Sequence, residues 1–556
     1  MAESIAGPLS HRRFRALWLA SVLSNVGGFL QSVAAAWLML DLTGSPVWVS
    51  AMAASTTLPL LFLSLPAGAL ADLANRRNML LATQILMGGT VLGMAALEAF
   101  DAVTPAVLLG LGLLLGVGVA FNAPIWQSMV PDLVPRQMVA SAVALNSMSF
   151  NAARVIGPAL GGVIVAAAGP ALAFGLNAVT YLGVIVVVFS FPPADWRPEE
   201  ESTLARAIAF GVRYTRFTPS LRWLLAISAG FGITGAAVQT LLPNLTKDSL
   251  GGGAGLYGLL LGAMGIGALF GALSRAVAAG RLGRRMVPVG VALYGAVGIV
   301  VGVSGRVWVT AAAMAVAGLA WVWTLATLNA TIQLLSHRWV RGRTLSLYML
   351  AFSGVYPLGA LLAGALGDAF GLDWSIAGLS AGAVLLGAAA TRMPIPDAED
   401  LGGQEIDDEY DRFPHGSSEV VGGPVLVLNT WVIAEDGLEQ FLDAIEELRI
   451  VRLRTGAYRW VLYRNVEDPH RMTEAFSLPS WEEHLRQHER IDTAAAEVIR
   501  RAGALDVRGA PVSRHLVGFD LGDRVERPDW EELALHHRDA HDRDGSIPLM
   551  DPDEGR

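Results

Sequence analysis

The sequence predicts an all-α membrane protein with many spans, followed by a small α+β domain outside the membrane. Of its 556 residues, 53% are hydrophobic and 16% are charged, which is too little charge for the surface of a soluble protein. The charge is also divided unevenly. Residues 1–392 hold 22 basic and 13 acidic residues, whereas residues 393–556 hold 18 and 36. A boundary near Met393 therefore separates a membrane part from an acidic soluble part.

Twelve apolar stretches are long enough to cross a bilayer, which takes about 20 residues of helix. If the N-terminus is cytoplasmic, about 19 of the 22 basic residues before Met393 lie on the cytoplasmic side, as the positive-inside rule requires. The outer loops then hold Lys247 and Arg306 alone, and Arg154 lies inside a span. We therefore expect a multi-pass protein of the cytoplasmic (inner) membrane with both termini in the cytoplasm. The stretches lie near 16–40, 47–71, 79–98, 104–127, 138–167, 171–191, 221–245, 255–279, 286–304, 307–333, 344–367 and 374–391.

A long cytoplasmic loop, 193–220, divides the twelve spans into two halves of six, at 1–192 and 221–393. The pair Arg76-Arg77 of the first half recurs as Arg284-Arg285 in the second. Two related six-helix halves with a substrate path between them are an arrangement found in transporters. Basic loops also recur wherever topology demands them, so the repeat leaves both explanations open.

The loop after the second span, residues 68–77, has the sequence GALADLANRR. With two departures, it resembles the signature loop of the major facilitator superfamily, Gly-x-Leu-Ala-Asp-Arg-x-Gly-Arg-Arg. In that superfamily the acid and the arginines form a cytoplasmic ion-pair latch that steadies the outward-facing state. The resemblance implies a latch made of Asp72, Arg76 and Arg77.

The fifth span contains residues 153–162 with the sequence ARVIGPALGG. It resembles Gly-x-x-x-Gly-Pro-x-x-Gly-Gly, which the superfamily associates with exporters. Small residues let membrane helices pack closely, and neighbouring helices accommodate a proline bend, so ordinary helix packing is the alternative explanation. The resemblance implies an export motif made of Gly157, Pro158, Gly161 and Gly162.

Several further segments narrow the resemblance, among them 41–46 (DLTGSP), 122–127 (NAPIWQ), 130–136 (VPDLVPR) and 144–147 (ALNS). Together they are similar to the branch that contains enterobactin exporters and macrolide-efflux proteins. Its longer bacterial members, the transmembrane secretion effectors, also carry a soluble tail. The resemblance then covers nearly the whole chain, and it implies export of a small amphipathic siderophore, antibiotic or secondary metabolite by alternating access.

Arg154 is the one ionisable residue well inside a span. Arginine at the bilayer centre costs roughly 2.5–3.5 kcal/mol on insertion scales, so Arg154 should face the bundle interior. It either lines the substrate path and meets an anionic or carbonyl group, or it anchors internal hydrogen bonds. The predicted path residues are Arg154, Asn25, Gln31, Asn146, Asn151, Asn329, Gln333 and Tyr356.

A proton carrier is harder to find, because the acids of the membrane part lie near helix ends and no histidine lies mid-span. The usual carrier is a buried carboxylate with a raised pKa. Asp41 is the best candidate for proton-coupled antiport, and a solvated acid at a helix end is the alternative. The energy source therefore stays open.

After a predicted acidic linker, 394–423, the pattern predicts strand, helix, two strands, a helix over 481–502 and a strand within 424–520. The order β-α-β-β-α-β is that of the ferredoxin-like unit. It resembles the antibiotic-biosynthesis monooxygenase fold, which usually pairs its sheets into a dimer, so a homodimer through this domain is implied. Asn429, Trp431 and Trp460 are the side chains available for such chemistry. Residues 521–556 are predicted to be disordered.

His484 and His488 lie four residues apart, a spacing that can bind metal on one helix face. Without a third ligand in sight, they are predicted to form a solvated face and no metal site is assigned. The chain has no cysteine, which excludes disulfides and zinc thiolates.

The leading hypothesis is thus a non-enzymatic exporter without catalytic residues or cofactors. Its partners would be a small-molecule substrate and the bilayer, and not nucleic acid. Two alternatives stay open. One is a membrane-tethered sensor or enzyme whose C-terminal domain is the working part, and the other is a non-transporting scaffold that dimerises through that domain.

Overall fold

The computed structural model describes residues 7–73, 75–129, 133–191, 211–336, 340–393, 424–488 and 490–518. The chain divides into two compact units near Leu401. The first is helical. The second is smaller, contains the only sheet of the described residues, and also takes in Val212–Thr218. The predicted linker, the predicted disordered tail and most of the loop between the halves lie outside the described residues.

Ten stretches among the described residues are long and apolar enough to cross a membrane. Helices suit such stretches because every backbone polar group is satisfied within the segment, which lipid demands. Ser141–Phe189 and Ala254–Val303 each have about twice the length of one span. The helices of this unit are α1 Arg12–Thr43, α2 Pro46–Ser55, α3 Leu58–Leu73, α4 Arg76–Ala99, α5 Pro105–Met129, α6 Val139–Phe189, α7 Pro219–Thr240, α8 Ala254–Leu282, α9 Met286–Val303, α10 Val307–Leu335, α11 Arg341–Met349, α12 Tyr356–Phe370 and α13 Leu372–Ala390.

Both double-length stretches are interrupted near their middle. Within α6, Gly169 has φ 80° and ψ 172°, outside the helical region, and the next residue is Pro170. Glycine adopts a positive φ without the steric cost of a side chain, which allows the chain to turn there. The second stretch consists of the separate helices α8 and α9.

The two halves of the helical unit, α1–α6 and α7–α13, contact each other at the end of the bundle where α1 terminates. There the Lys247 Nζ lies 2.7 Å from the Asp41 Oδ1. The Ser45 hydroxyl donates to the Asp368 Oδ2 at 3.1 Å. Each of these contacts joins one half to the other. We call this end of the bundle the Lys247 end.

The second unit is a four-stranded antiparallel sheet with the order β2-β3-β1-β4, packed against helices. Along β1, alternate residues from Val425 to Trp431 are buried, as expected when one face of a sheet meets a core. The core contains Trp431, Phe441, Leu448 and Ile491. Its elements are β1 Val425–Val432, α14 Leu438–Thr455, β2 Arg459–Arg464, β3 Arg471–Leu478, α15 Trp481–His488, α16 Thr493–Gly503 and β4 Val512–Val517.

The prediction of a single helix over 481–502 is wrong, because two helices occupy this range. α15 ends at His488 and α16 begins at Thr493. The Asp492 carboxylate accepts a hydrogen bond from the Ala495 amide at 2.6 Å, so it caps the start of α16. Capping by aspartate requires a non-helical backbone, which ends the preceding turn.

Candidate substrate cavity

A cavity of about 410 Å³ lies between the two halves of the helical unit. Phe29, Met52 and Leu115 of the first half and Leu261 and Met264 of the second form part of its apolar wall. Pockets for small molecules typically combine such an apolar wall with a few placed polar groups. The polar side chains of the lining are Gln31, Ser32, Thr56, Thr57, Arg154, Tyr181, Gln239, Thr240, Tyr257 and Tyr356, together with Trp321.

Arg154 lies in the middle of its span. It is 15 residues from both Val139, where α6 begins, and Gly169, where α6 is broken. At 1.5 Å per residue this places Arg154 roughly 22 Å along the helix from either point. Its guanidinium carbon lies 5.5 Å from the ring centroid of Trp321, which belongs to the other half.

Among the residues that line the cavity, Arg154 carries the only formal charge. A cation–π contact contributes about 0.5–2 kcal/mol, depending on how far the cation is desolvated. The cost of arginine at this depth is roughly 2.5–3.5 kcal/mol. The Trp321 ring therefore offsets only part of that cost, and the guanidinium is able to bind a further negative or polar group.

Trp321 is held in a cluster of aromatic rings within the second half. Its ring centroid lies 5.3 Å from that of Phe231, 5.4 Å from that of Tyr294 and 5.6 Å from that of Phe352. The side chain is 5% exposed, and its Nε1–H has no acceptor among the described residues. The cluster fixes the indole ring with its face against Arg154.

Three of the predicted path residues, Arg154, Gln31 and Tyr356, line the cavity. The Gln31 carbonyl also accepts a hydrogen bond from the Asn177 side chain at 2.5 Å. The other five lie outside the lining: Asn25 bonds Ser149, Asn151 bonds the carbonyl of Ser147, Gln333 bonds Asn329, and Asn146 is half-buried on α6. A role of the eight residues in transport stays a prediction.

Sequence reasoning missed several polar residues of the lining, notably Gln239, Thr240 and Tyr257. Gln239 and Thr240 end the apolar helix α7, so they resemble residues at a membrane interface. Tyr257 lies in a glycine-rich segment at the start of α8. The one available signal is an uncharged amide in an apolar run, a property that Gln239 shares with the predicted path residue Gln31.

The predicted export motif lies in close contacts between helices. A Cβ added to Gly157 would lie 2.5 Å from the Phe29 Cβ, and one added to Gly161 would lie 3.1 Å from the Leu30 Cα, both on α1. At Gly162 the neighbour is the other half, since an added Cβ would lie 2.6 Å from the Gly258 Cα. Pro158 lines the cavity. At Gly162 and Gly258, α6 and α8 therefore pack against each other through backbone atoms, and this contact joins the two halves.

Asp41, the predicted coupling residue, pairs with Lys247 across the halves, and both side chains are nearly half-exposed. Exposed ion pairs contribute about 0.2–1 kcal/mol. The predicted latch was assigned at the opposite end of the bundle. There Arg77 donates to the Phe189 carbonyl at 2.8 Å, Arg76 has an interaction partner, and the Asp72 side chain lies outside the described residues. The latch stays a prediction.

We expect Asp41→Asn to weaken closure of the Lys247 end, because it removes the ion pair. A loss of about 0.2–1 kcal/mol corresponds to a roughly 1.4- to 5-fold shift in population. The rate at which a single cysteine at Thr56 is labelled through the Lys247 end measures the shift. The exchange Asp41→Lys with Lys247→Asp should reverse it. Asp248→Asn, an exposed acid on the same turn, is the matched control, and an equal effect of the control would contradict the prediction.

The sequence profile of the transmembrane secretion effector family matches residues 3–520. The chain belongs to this family. It is 27% identical over 413 residues to the multidrug efflux pump Tap of Mycolicibacterium fortuitum, a match covering 71% of this chain and 97% of Tap. It is 25% identical over 368 residues to the staphyloferrin A transporter of Staphylococcus aureus, covering 65% and 91%. The match to the enterobactin exporter EntS of Salmonella choleraesuis is 28% over 268 residues, covering 48% and 64%.

Solved structures show the same fold for the membrane part of this family member. A bacterial homolog of the human lysosomal transporter Spinster, inward-facing and occupied, matches with a TM-score of 0.55 at 16% identity, over 69% of this chain and 97% of that one. The nucleoside transporter NupG matches with a TM-score of 0.54 at 14% identity, over 69% and 100%. The predicted resemblance to major facilitator exporters is confirmed.

In the soluble unit, the residues considered for monooxygenase chemistry serve the interior. The buried Glu474 carboxylate accepts hydrogen bonds from the Asn429 amide at 2.7 Å, the Trp460 indole at 2.9 Å and the Arg452 Nε at 3.2 Å. Trp431 packs against Phe441 with ring centroids 5.5 Å apart. These contacts hold the sheet to α14.

The prediction that His484 and His488 form a solvated face is wrong. His484 is 3% exposed, and its ring lies 4.7 Å from that of His515 on β4 and 4.8 Å from that of His488. The face of α15 that carries these rings packs on the sheet rather than facing water. Within the described part of the chain, no group of three or more His, Asp or Glu side chains is arranged to hold a metal ion.

Burial, followed by the charges of His488, His515 and Arg452, lowers the pKa of His484 to about 3. Burial, followed by Arg452 and His515, lowers the pKa of His488 to about 4. An unfolded histidine titrates near 6.5, so between about pH 6.5 and pH 4 the unfolded chain binds protons that the folded domain does not. The two neutral histidines therefore cost the folded domain no stability above about pH 6.5, and the free energy of unfolding decreases as the pH falls below this value.

We expect hydrogen exchange of β4 in the full-length protein to accelerate steeply between pH 6.5 and pH 4.5, after correction for the intrinsic effect of pH. Each tenfold difference in proton affinity between the folded and unfolded chain corresponds to about 1.4 kcal/mol, and residual structure in the unfolded domain lowers this figure. The double variant His484→Gln/His488→Gln should flatten this dependence. An equally steep dependence in the double variant would contradict the assignment.

Proposed function

We propose that this transmembrane secretion effector exports a small amphipathic siderophore, antibiotic or other secondary metabolite across the cytoplasmic membrane by alternating access. The observation that carries the proposal is the cavity between the halves, which has an apolar wall, few polar groups and closure of the halves at the Lys247 end. Efflux as the direction follows from family and relatives, which include a multidrug efflux pump and an enterobactin exporter.

The proposal includes twelve spans and two cytoplasmic termini. Ten apolar stretches, two of them interrupted near the middle, support a count of twelve. With this topology the Lys247 end, where ion-pair and hydrogen-bond contacts join the halves, faces outward. Proton coupling through Asp41 stays a prediction, since Asp41 already pairs with Lys247.

The orientation has a direct test, because Lys247 is the only lysine in the chain. A membrane-impermeant amine reagent applied to intact cells should label Lys247, while the N-terminal amine is protected in the cytoplasm. The variant Lys247→Arg should abolish the labelling. Labelling that appears only after the cells are lysed would reverse the proposed orientation.

Export itself is tested by accumulation of a panel of hydrophobic antibiotics and siderophores in cells expressing the protein. We expect lower accumulation of at least one compound, and we expect Arg154→Ala to restore it at equal expression. A chain ending at Met393 shows whether the membrane part transports alone. Unchanged accumulation of every compound across the panel would contradict the proposed export.

The soluble domain is proposed to be ferredoxin-like and to pair into a homodimer. Its strand order and the helices packed on it support the fold. The sheet face away from the helices carries Leu426, Leu428, Val461, Tyr463 and Leu516, of which Tyr463 and Leu516 are exposed. These apolar side chains, which share the face with Arg514 and Thr473, suit burial against a second copy. We expect Leu516→Arg to weaken self-association of the full-length protein in detergent.

A sensor role for this domain is the second candidate, because Val212–Thr218 belongs to the same unit and directly precedes α7. Within that unit, the Arg213 guanidinium donates to the Gly456 carbonyl at 3.0 Å. A ligand of the domain would thus act on the entry to a membrane helix. We expect Arg213→Ala to loosen this segment, measured as faster hydrogen exchange at 212–218, while the exposed neighbour Arg216→Ala leaves it unchanged.

A further inference from the structure

The charge of the cavity identifies a class of cargo within the proposed export function. Arg154 is its only charged lining residue, and among the described residues no Asp, Glu or His side chain is part of the lining. The guanidinium meets the face of Trp321 rather than a carboxylate. We propose that the cavity binds an organic anion with an apolar body, and that the membrane potential drives its export.

The wall around Arg154 is arranged to receive a negatively charged group. The Nε1–H of Trp321 is buried, so Trp321 contributes the face of its ring to this site, 5.5 Å from the guanidinium carbon. A carboxylate, phenolate or sulfonate in the cavity would give the Arg154 guanidinium the negative partner that the lining residues lack. The Phe29, Met52 and Leu261 side chains would contact the apolar remainder of the same molecule.

Both halves contribute to this site. Arg154 comes from α6 in the first half, and Trp321 comes from α10 in the second. A bound anion would therefore bridge the halves from within. Movement of the halves against each other would separate Arg154 from Trp321 and release the anion, so the same contacts serve binding and discharge.

An anionic cargo also gives the membrane potential a role as the energy source for export. The cytoplasmic side of the membrane is electrically negative, so outward movement of a negative charge is downhill in the membrane potential. After release, the empty site carries only the fixed charge of Arg154. The protein therefore returns to its starting conformation without binding a counter-ion. A titrating carboxylate in the cavity is then unnecessary, which agrees with the residues that line it.

Binding is tested with two probes that share one skeleton, anionic 8-anilinonaphthalene-1-sulfonate and neutral N-phenyl-1-naphthylamine. Equilibrium dialysis against the purified full-length protein compares wild type with Arg154→Gln, Arg154→Lys and Trp321→Phe. Probe that partitions into detergent contributes equally to the wild-type and variant samples, so the difference between them reports binding to the protein alone. Arg306→Gln, an exposed arginine outside the cavity, is the matched control.

We expect Arg154→Gln to weaken binding of the anion about 30-fold or more, as for other buried charge pairs, and to leave the neutral probe unchanged. Arg154→Lys should retain part of the affinity, and Trp321→Phe should lose about fivefold at most, because phenylalanine keeps a ring face for the guanidinium. Arg306→Gln should match wild type. Equal anion binding by wild type and Arg154→Gln, including undetectable binding by both, would overturn the anion site.

Flux is tested in vesicles of phosphatidylcholine and phosphatidylglycerol loaded with the anionic probe and potassium. Valinomycin makes the interior negative, and we expect efflux to accelerate with the potential and to ignore a pH step imposed without it. Efflux that follows the pH step and ignores the potential would overturn the energetic part. If cells export only neutral compounds, and Arg154→Gln exports them equally, the proposed function stands and this inference fails. If anion binding depends on Arg154 but no compound is exported, the anion site stands and the proposed function fails.

Discussion

Replacing Gly162 by leucine is expected to abolish transport, whereas the same replacement at Gly183 on the same helix is expected to leave transport intact. A Cβ on Gly162 would lie 2.6 Å from the Gly258 Cα and 2.7 Å from the Ala254 carbonyl oxygen. Both neighbours are backbone atoms, so neither can rotate away. At Gly183 an added Cβ meets nothing within 4 Å.

The size of the effect follows from where this contact lies. Gly162 on α6 belongs to the first half and Gly258 on α8 to the second, so leucine would push the halves apart. Overpacking costs about 1–3 kcal/mol or more when side chains are able to adjust. A cost of about 3 kcal/mol lowers the population of the closed arrangement on the order of 100-fold. Alternating access requires that arrangement in every cycle.

Two measurements separate a blocked cycle from a misfolded protein. The transport rate of Gly162→Leu should fall to background while that of Gly183→Leu stays near wild type, at equal expression and with equal thermal stability in detergent. Because the chain has no cysteine, a single cysteine at Thr56 reports access to the cavity without further mutation. Its labelling from the Lys247 end should rise in Gly162→Leu. Wild-type transport by Gly162→Leu would show that this contact is not required.

The sequence predicts how deep a residue lies in the membrane, but it does not predict which side of the helix faces the cavity. Apolar length alone placed Arg154 well inside a span, and the structure puts it 15 residues from either end of its segment. Its neighbour Trp321 was one of many aromatic residues in the membrane part. Membrane helices are apolar on all sides, so hydropathy gives no phase to say which face points inward. Gln239 and Asn146 were therefore indistinguishable in sequence, although only Gln239 lines the cavity.

In the soluble domain the order of elements was predictable and the details of α15 were not. Alternating apolar residues predicted the strands, and the structure has β1, β2, β3 and β4 in the expected sequence order. The sequence predicts a solvated His484 because no third metal ligand is evident, yet β4, about 30 residues later in the chain, covers it with His515. Such a contact depends on the tertiary fold, and local sequence carries no record of it.

Replacing Glu474 by alanine is expected to destabilise the soluble domain more than any exposed substitution. The Glu474 side chain is 0% exposed and accepts hydrogen bonds from Arg452, Trp460 and Asn429. Its removal takes this acceptor from a largely buried guanidinium, from the buried Asn429 amide and from the partly buried Trp460 indole. Breaking a buried ion pair in this way costs about 3–5 kcal/mol. Small domains have a total stability of about 5–15 kcal/mol, so the loss is a large part of the whole.

Hydrogen exchange of β1 in the full-length protein measures this loss directly. The matched control is Glu447→Ala, since Glu447 pairs with Arg501 on the surface and such pairs contribute about 0–1 kcal/mol. We expect fast exchange for Glu474→Ala and near wild-type exchange for Glu447→Ala; equal rates would contradict a structural role for Glu474. The double variant Glu474→Met/Arg452→Met should recover protection, because an apolar pair needs no compensating charge. The spans form a separate compact unit, so transport by Glu474→Ala distinguishes two roles of the soluble domain. If transport is retained, the domain is accessory to transport. If transport is lost and the double variant restores it, the folded domain is required for the transport cycle.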